Sequence, residues 1–126
     1  MRQLLWVGIG GFVGSIARYK LGGFVLHRSE AWNFPVSTFA VNLLGCLAIG
    51  ILAALVEHHD LFSNTTRLFL FTGLLGGFTT FSAFSLDAVL LWEKNAFALL
   101  GLYVVASVVL SILGLFTGLW IVRSLT

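Results

Sequence analysis

Apolar residues run along the chain in four long stretches, at about 4–26, 35–56, 68–92 and 96–122, with short polar punctuation between them. A helix needs about 20 mostly apolar residues to cross the hydrocarbon of a bilayer, so each stretch predicts one transmembrane helix. The first is interrupted by Arg18, Tyr19 and Lys20, and the third carries Asp87. Together they leave no room for a soluble domain, and the predicted organisation is a single four-span transmembrane domain over residues 1–126. The stretch ends are marked. Trp6, Trp32, Trp92 and Trp120 all fall near boundaries, as an interfacial aromatic belt requires. Pro35 suits the first turn of the second span, and Ser63-Asn64-Thr65-Thr66 offers capping oxygens for the third.

Composition agrees with this pattern: 59% of the residues are hydrophobic and 10% charged, against about 25% charged in a soluble domain. A formal charge of +2 without a basic run argues against nucleic acid as a partner; membrane lipid is the expected surroundings. The single cysteine, Cys46, excludes an intramolecular disulfide and reads as a small packing residue. The Arg2–Ala17 stretch has the charge order of a signal peptide, but it is glycine-rich and apolar sequence resumes at Leu21, so it is read as a span. Glu57-His58-His59-Asp60 reads as a loop, because adjacent residues seldom converge on one metal ion. No nucleophile–base pair or buried acid pair is present, so the chain is not expected to be an enzyme.

Four spans put both termini and the second loop on one side. That side carries Arg2, Arg67 and Arg123, and the other Arg18, Lys20, Arg28 and Lys94. Three against four is no vote under the positive-inside rule. Either the bias is simply weak or the protein inserts both ways up, and charge alone leaves the two readings level.

Helices in lipid associate through close packing and polar contacts. The 14 glycines include pairs spaced i, i+4 at Gly10/Gly14, Gly73/Gly77 and Gly114/Gly118, each of which admits a neighbouring backbone. So glycine-rich a chain has little surface to enclose a pore alone, and a symmetric dimer is the smallest remedy. Polar side chains at membrane depth usually face a cavity or a partner helix. Thr38 and Asn42 share a face of span two, continued by Gly45 and Cys46; Tyr103, Ser107 and Ser111 form a stripe on span four; Thr79, Thr80, Ser82 and Ser85 crowd span three. The set offers N–H and O–H donors with almost no fixed charge. Such donors suit a small anion, whereas a cation path would use carboxylates or carbonyls. Gly76-Gly77 followed by Phe78-Thr79-Thr80 makes a poor continuous helix, and a break in a membrane is tolerated only where it is buried in protein or lines a cavity. Helix-to-helix hydrogen bonding remains the alternative account of these hydroxyls.

Three segments, Gly11–Tyr19, Val41–Gly45 and Gly76–Phe84, resemble the signature segments of the Fluc (CrcB) fluoride channels. The resemblance covers the whole chain in length, span number and motif order, and the third segment carries most of its specificity. It implies an all-α membrane protein of four transmembrane helices with a broken third helix. It also implies an antiparallel, dual-topology homodimer with two pores in the bacterial inner membrane. Fluoride, trapped inside after entering as HF, would leave passively. By resemblance, Asn42 donates its side-chain N–H to fluoride. Phe81 and Phe84 face the ion edge-on, those of one pore coming from both subunits. Thr80, Ser82, Tyr103, Ser107 and Ser111 form a polar track, and Arg18 sits at the mouth. Carbonyls of Gly76 and Thr79 would hold a structural Na+ on the two-fold axis. Ala83 departs from the pattern, since a hydroxyl residue is common between the two phenylalanines. Two rival functions are a small multidrug-type cation-coupled antiporter and a non-transporting assembly subunit. The antiporter needs an acid deep in the first span, which this chain lacks.

Overall fold

The computed structural model describes residues 1–59 and 62–126, His59 by its backbone alone. All regular structure among the described residues is helical. Helix α1 spans Arg2–Arg28, α2 spans Val36–His59 and α6 spans Phe97–Leu125. Between α2 and α6 lies a composite segment: α3 (Asn64–Arg67), a π-helical stretch (Leu68–Leu75), α4 (Gly76–Phe78) and α5 (Phe81–Glu93). At 1.5 Å per residue, the 24 residues of α2 and 29 of α6 exceed the roughly 30 Å hydrocarbon layer. Val36–His58, Asn64–Glu93 and Phe97–Leu125 are long and apolar enough to cross a membrane. Helix α1 is as long, at 27 residues, but its glycines with Arg18 and Lys20 dilute its apolar character. Glu57 and His58, expected in a loop, instead extend α2 together with the backbone of His59; Asp60 lies outside the described residues.

The ends follow local chemistry. Pro35 directly precedes α2, and its carbonyl accepts from Phe39 N at 3.3 Å. Ser63 Oγ accepts from Thr66 N at 3.2 Å, satisfying one of the orphan donors of a helix start. The turn from α5 to α6 needs one left-handed residue, and Asn95 supplies it at φ 56°. Asparagine tolerates that region better than most residues. Ala96 N then reaches back to Leu91 O at 3.0 Å.

Glycines decide which helices touch. A Cβ on Gly10 would stand 2.6 Å from Phe69 O, and one on Gly77 2.6 Å from Gly11 O. A Cβ on Gly14 would overlap Leu74 O outright. Gly10 therefore meets Gly73, and Gly11 and Gly14 meet the Gly77–Phe78 turn, so α1 and the composite segment run parallel. On the other side, a Cβ on Gly50 would overlap Leu115 O, and one on Gly118 would lie 2.8 Å from Ile51 N. Helices α2 and α6 are likewise parallel, joined at their ends by an ion pair of Arg123 Nη2 with Glu57 Oε2 at 2.6 Å. Gly114 is a looser contact: a Cβ there would stand 3.1 Å from the Leu43 side chain. The two parallel pairs oppose each other, and Ser37 Oγ ties them by donating to Gly22 O at 3.0 Å. Trp6 and Trp120 fall toward one end of this bundle, Trp32 and Trp92 toward the other. Few large side chains are buried (Val41 and Tyr103 are the largest enclosed ones), while Phe12, Phe81, Val105 and Phe116 stand exposed. In water such a surface marks an interaction site; here it calls for lipid or another chain.

Candidate functional site

The site is organised by two residues that leave the helical path. Thr79 (φ −79°, ψ 155°) and Thr80 (φ −151°, ψ 116°) are extended between α4 and α5. Leu75 O still collects two bonds from Thr79, from N at 2.9 Å and from Oγ1 at 2.9 Å. The extended Thr79 swings the next peptide away from α4, and α2 meets it with Asn42. Thr80 N donates to Asn42 Oδ1 at 2.7 Å, and Asn42 Nδ2 donates to Thr80 O at 2.9 Å. A primary amide carries a donor and an acceptor in one plane, so Asn42 pairs with the Thr80 peptide group as a neighbouring strand would. Without it, both groups would be orphaned at membrane depth, where each costs several kcal/mol. Gly45, one turn further on the same face, lets Thr79 and Phe78 come close: a Cβ there would overlap Thr79 Cγ2. Thr80 then restarts the helix, its Oγ1 accepting from Ala83 N at 3.1 Å as a standard N-cap.

This rerouting strips two carbonyls of their helical donors. Gly76 O would be served by Thr80 N, which goes to Asn42. Thr79 O would be served by Ala83 N, which goes to the Thr80 hydroxyl. Both oxygens, on half-buried or exposed residues, are free to accept. Uncharged carbonyl oxygens of this kind fit a hard monovalent cation. Among the described residues no cluster of three His, Cys, Asp or Glu side chains offers a different kind of metal site.

Beside the break lies a cavity of about 300 Å³. Helix α2 contributes Asn42 and Cys46, the break Thr79 and Thr80, α5 Phe81 and Phe84, and α6 Ser107 and Ser111; Ile49, Val108 and Ile112 complete the wall. No charged side chain is among these residues. Ser107 is 7% exposed, and its buried hydroxyl has no hydrogen-bond partner. Nearly all buried polar atoms in folded proteins are satisfied, so this hydroxyl, on a residue of the cavity wall, is an exception with a donor still to spend. Phe81, 77% exposed, packs against Phe84 with centroids 5.3 Å apart and planes tilted by 40°.

Seven of the residues singled out from sequence as fluoride-path or Na+ residues therefore meet: Asn42, Thr79, Thr80, Phe81, Phe84, Ser107 and Ser111. Others do not join them. Ser82 is exposed, its hydroxyl 3.1 Å from Thr80 Oγ1, and it is not in the wall. Tyr103 is fully buried behind the cavity. Its ring lies 5.1 Å from that of Phe84 and 5.4 Å from Phe34, and its hydroxyl donates to Asp87 Oδ2 at 3.1 Å. Arg18 belongs to a second cavity of about 320 Å³, with Tyr19, Ser37, Thr38, Thr80 and Ala83. Thr80 lines both hollows. Sequence reasoning missed the Asp87–Tyr103 bond and the cavity position of Cys46. The first joins two helices and follows no spacing rule, whereas the second was signalled by Cys46 lying four residues beyond Asn42.

Residues 5–119 match the model of a family described as CrcB-like protein, Camphor Resistance (CrcB). The chain is 49% identical over 125 residues to a fluoride-specific ion channel FluC of Rhizobium etli, covering 99% of each chain. A relative of the same description from Agrobacterium fabrum is 47% identical over 125 residues, again covering 99% of each. One from Methylobacillus flagellatus is 43% identical over 123 residues, covering 98% of this chain and 96% of the relative.

Proposed function

The chain belongs to the CrcB-like family, and on that footing we propose that it is a fluoride-selective channel that lets cytoplasmic fluoride leave by passive electrodiffusion. It is a multi-pass membrane protein and not an enzyme. The observation that carries the reading is a cavity walled by uncharged side chains, Asn42, Ser107 and Ser111 among them, in which the buried Ser107 hydroxyl has no hydrogen-bond partner. A fluoride ion entering there must shed water, and the donors at hand replace it: the Ser107 and Ser111 hydroxyls and the second N–H of Asn42 Nδ2. The edges of aromatic rings carry positive potential, so Phe81 and Phe84 present a weakly attractive rim. Arg18, in the adjoining hollow, raises the local anion concentration by its charge. The main cavity has no carboxylate to draw a cation along it. Bonds between helices would have used up the Ser107 hydroxyl, and its freedom speaks against these hydroxyls being mere helix glue.

The assembly we propose is an antiparallel homodimer of four-span subunits in the bacterial inner membrane. Three considerations support it. The positive residues divide almost evenly between the two sides, so either orientation is acceptable. Phe81 and much of the apolar surface are uncovered in one copy. Helix α1, the least apolar of the four, is locked by glycines along the composite segment and so shares its path across the bilayer. A structural Na+ fits the freed oxygens of Gly76 and Thr79: each copy would present these two carbonyls to it, and the ion would brace the break. Tyr103 and Ser82 support the path from outside the cavity, Tyr103 by backing Phe84 and Ser82 through Thr80.

The test is fluoride efflux from liposomes containing the purified protein, with Ser107→Ala as the comparison. Fast, electrogenic, fluoride-over-chloride efflux is expected. Ser107→Ala should slow it while leaving thermal stability unchanged or slightly raised, because that hydroxyl makes no bond to lose. Efflux that is indifferent to Ser107→Ala would remove the argument from the orphan donor.

A further inference from the structure

We propose that the cavity between the start of α1 and the start of the composite segment binds the phosphodiester head of an anionic membrane phospholipid. The proposal needs only the membrane-spanning character of the chain and is independent of which ion the channel passes. The cavity holds about 310 Å³ and is lined by Arg2 and Trp6 of α1 and by Ser63, Thr65, Thr66 and Phe69 around the start of the composite segment. Its wall differs from those of the two hollows described above: one guanidinium, three hydroxyls and two aromatic rings, with no carboxylate. Arg2 is exposed and takes part in neither the His27–Glu30 nor the Arg123–Glu57 ion pair. The first turn of α1 contains no acidic residue. The arginine charge in this wall therefore has no counter-charge beside it in the wall or in its own helical turn.

The donor set suits phosphate. A guanidinium presents a planar fork of N–H groups that matches two phosphate oxygens at once. Ser63 Oγ and Thr66 Oγ1 lie 2.9 Å apart, and Ser63 Oγ also accepts from Thr66 N. That pair spends one of its two O–H protons internally and keeps the other to donate, and Thr65 adds a further hydroxyl. Beside these groups Trp6 packs edge-to-face on Phe69, with centroids 6.0 Å apart and planes at 89°. Trp6 lies one helical turn from Arg2 on the same face, at the depth where tryptophans meet lipid head groups. A free ion has no use for two rings, whereas the glycerol and first methylenes of a lipid lie against them. Charge then selects among lipids. Phosphatidylcholine and phosphatidylethanolamine carry an ammonium next to the phosphate, and the wall has no carboxylate to receive it. Phosphatidylglycerol brings the phosphate charge alone. Basic pockets between transmembrane helices hold anionic head groups on the same principle.

The experiment titrates the whole protein, purified in detergent, with phosphatidylglycerol or with phosphatidylcholine of the same acyl chains, and counts retained lipid by native mass spectrometry. Phosphatidylglycerol should be retained at lower concentration than phosphatidylcholine. Arg2→Gln should weaken that retention about tenfold, as loss of a hydrogen bond from a charged group does. Thr65→Val, which leaves every charge in place, should weaken it to a smaller extent. Arg28→Gln removes the same charge from the other end of α1, where the guanidinium stacks over Phe24, and should leave retention unchanged. Equal retention of the two lipids overturns the proposal, and so does an equal loss from Arg2→Gln and Arg28→Gln. Weakening by Arg2→Gln with none by Thr65→Val would reduce the cavity to a surface charge and overturn it as well. Displacement of the lipid by excess inorganic phosphate would make this a free-anion site and overturn the lipid assignment.

Discussion

At the scale of single residues, Asn42 and Ser107 differ in what they are bonded to, in a way that mutation can separate. Asn42 spends one N–H and its carbonyl oxygen on the Thr80 peptide, and its second N–H is the one the proposed channel would offer to the ion. Asn42→Ala should therefore lose on both counts. Each orphaned backbone group costs about 1–3 kcal/mol, so thermal unfolding in detergent should come at clearly lower temperature, and efflux should collapse. Asn42→Ala of wild-type stability would refute the pairing, whatever its efflux. Ser107 makes no such bond, which is why its alanine variant isolates the donor. Both residues were legible in sequence as polar groups at membrane depth, and so was Ser111. What sequence could not convey was that Asn42 is committed to backbone first. It was equally silent about Tyr103, four residues before Ser107, whose ring and hydroxyl are taken up by Phe84, Phe34 and Asp87. Spacing along one helix says which side chains share a face; it does not say what stands opposite.

Among the elements, the long helices follow directly from runs of apolar residues, and their ends from Pro35, Ser63 and Asn95. The π-helical stretch Leu68–Leu75 left no such trace, because a widened turn uses the same apolar residues as an ordinary one. The non-helical Thr79–Thr80 step was hinted at by two glycines followed by two β-branched threonines. Its exact partner on α2 was not. Glycine spacing indicated close packing, and Gly10, Gly14, Gly73, Gly77 and Gly118 do meet a neighbouring backbone; what spacing did not offer was Gly50, outside every such pair, which packs hardest against α6. Gly50→Val is expected to cost more than the about 1–3 kcal/mol typical of overpacking, since its obstacle is the Leu115 carbonyl and not a movable side chain. Gly8→Val, with nothing within 4 Å of its Cβ position, should be mild. Equal unfolding temperatures for the two variants would contradict the helix pairing described above.

For the molecule as a whole, the charge balance that left orientation undecided becomes an expectation. Labelling of both termini in intact and permeabilised cells should find each on both faces of the membrane. Adding two lysines to the α1–α2 loop should bias insertion toward one orientation and reduce efflux, because a parallel pair cannot form the inverted dimer. A single fixed orientation with full efflux would dismiss that assembly. The all-helical, membrane-spanning class was open to reading because lipid imposes length and apolarity on every crossing segment. The assembly was not, because a lipid-facing and a partner-facing apolar surface have the same composition. Thr80 borders both hollows, and its hydroxyl also starts α5. If the proposed fluoride path joins them, an ion moving from the Arg18 side to the serine side would meet a doorway at Thr80, not a corridor. Sorting by size would happen at a single sill whose frame is also the first turn of a helix, so that anything loosening this turn would widen the opening.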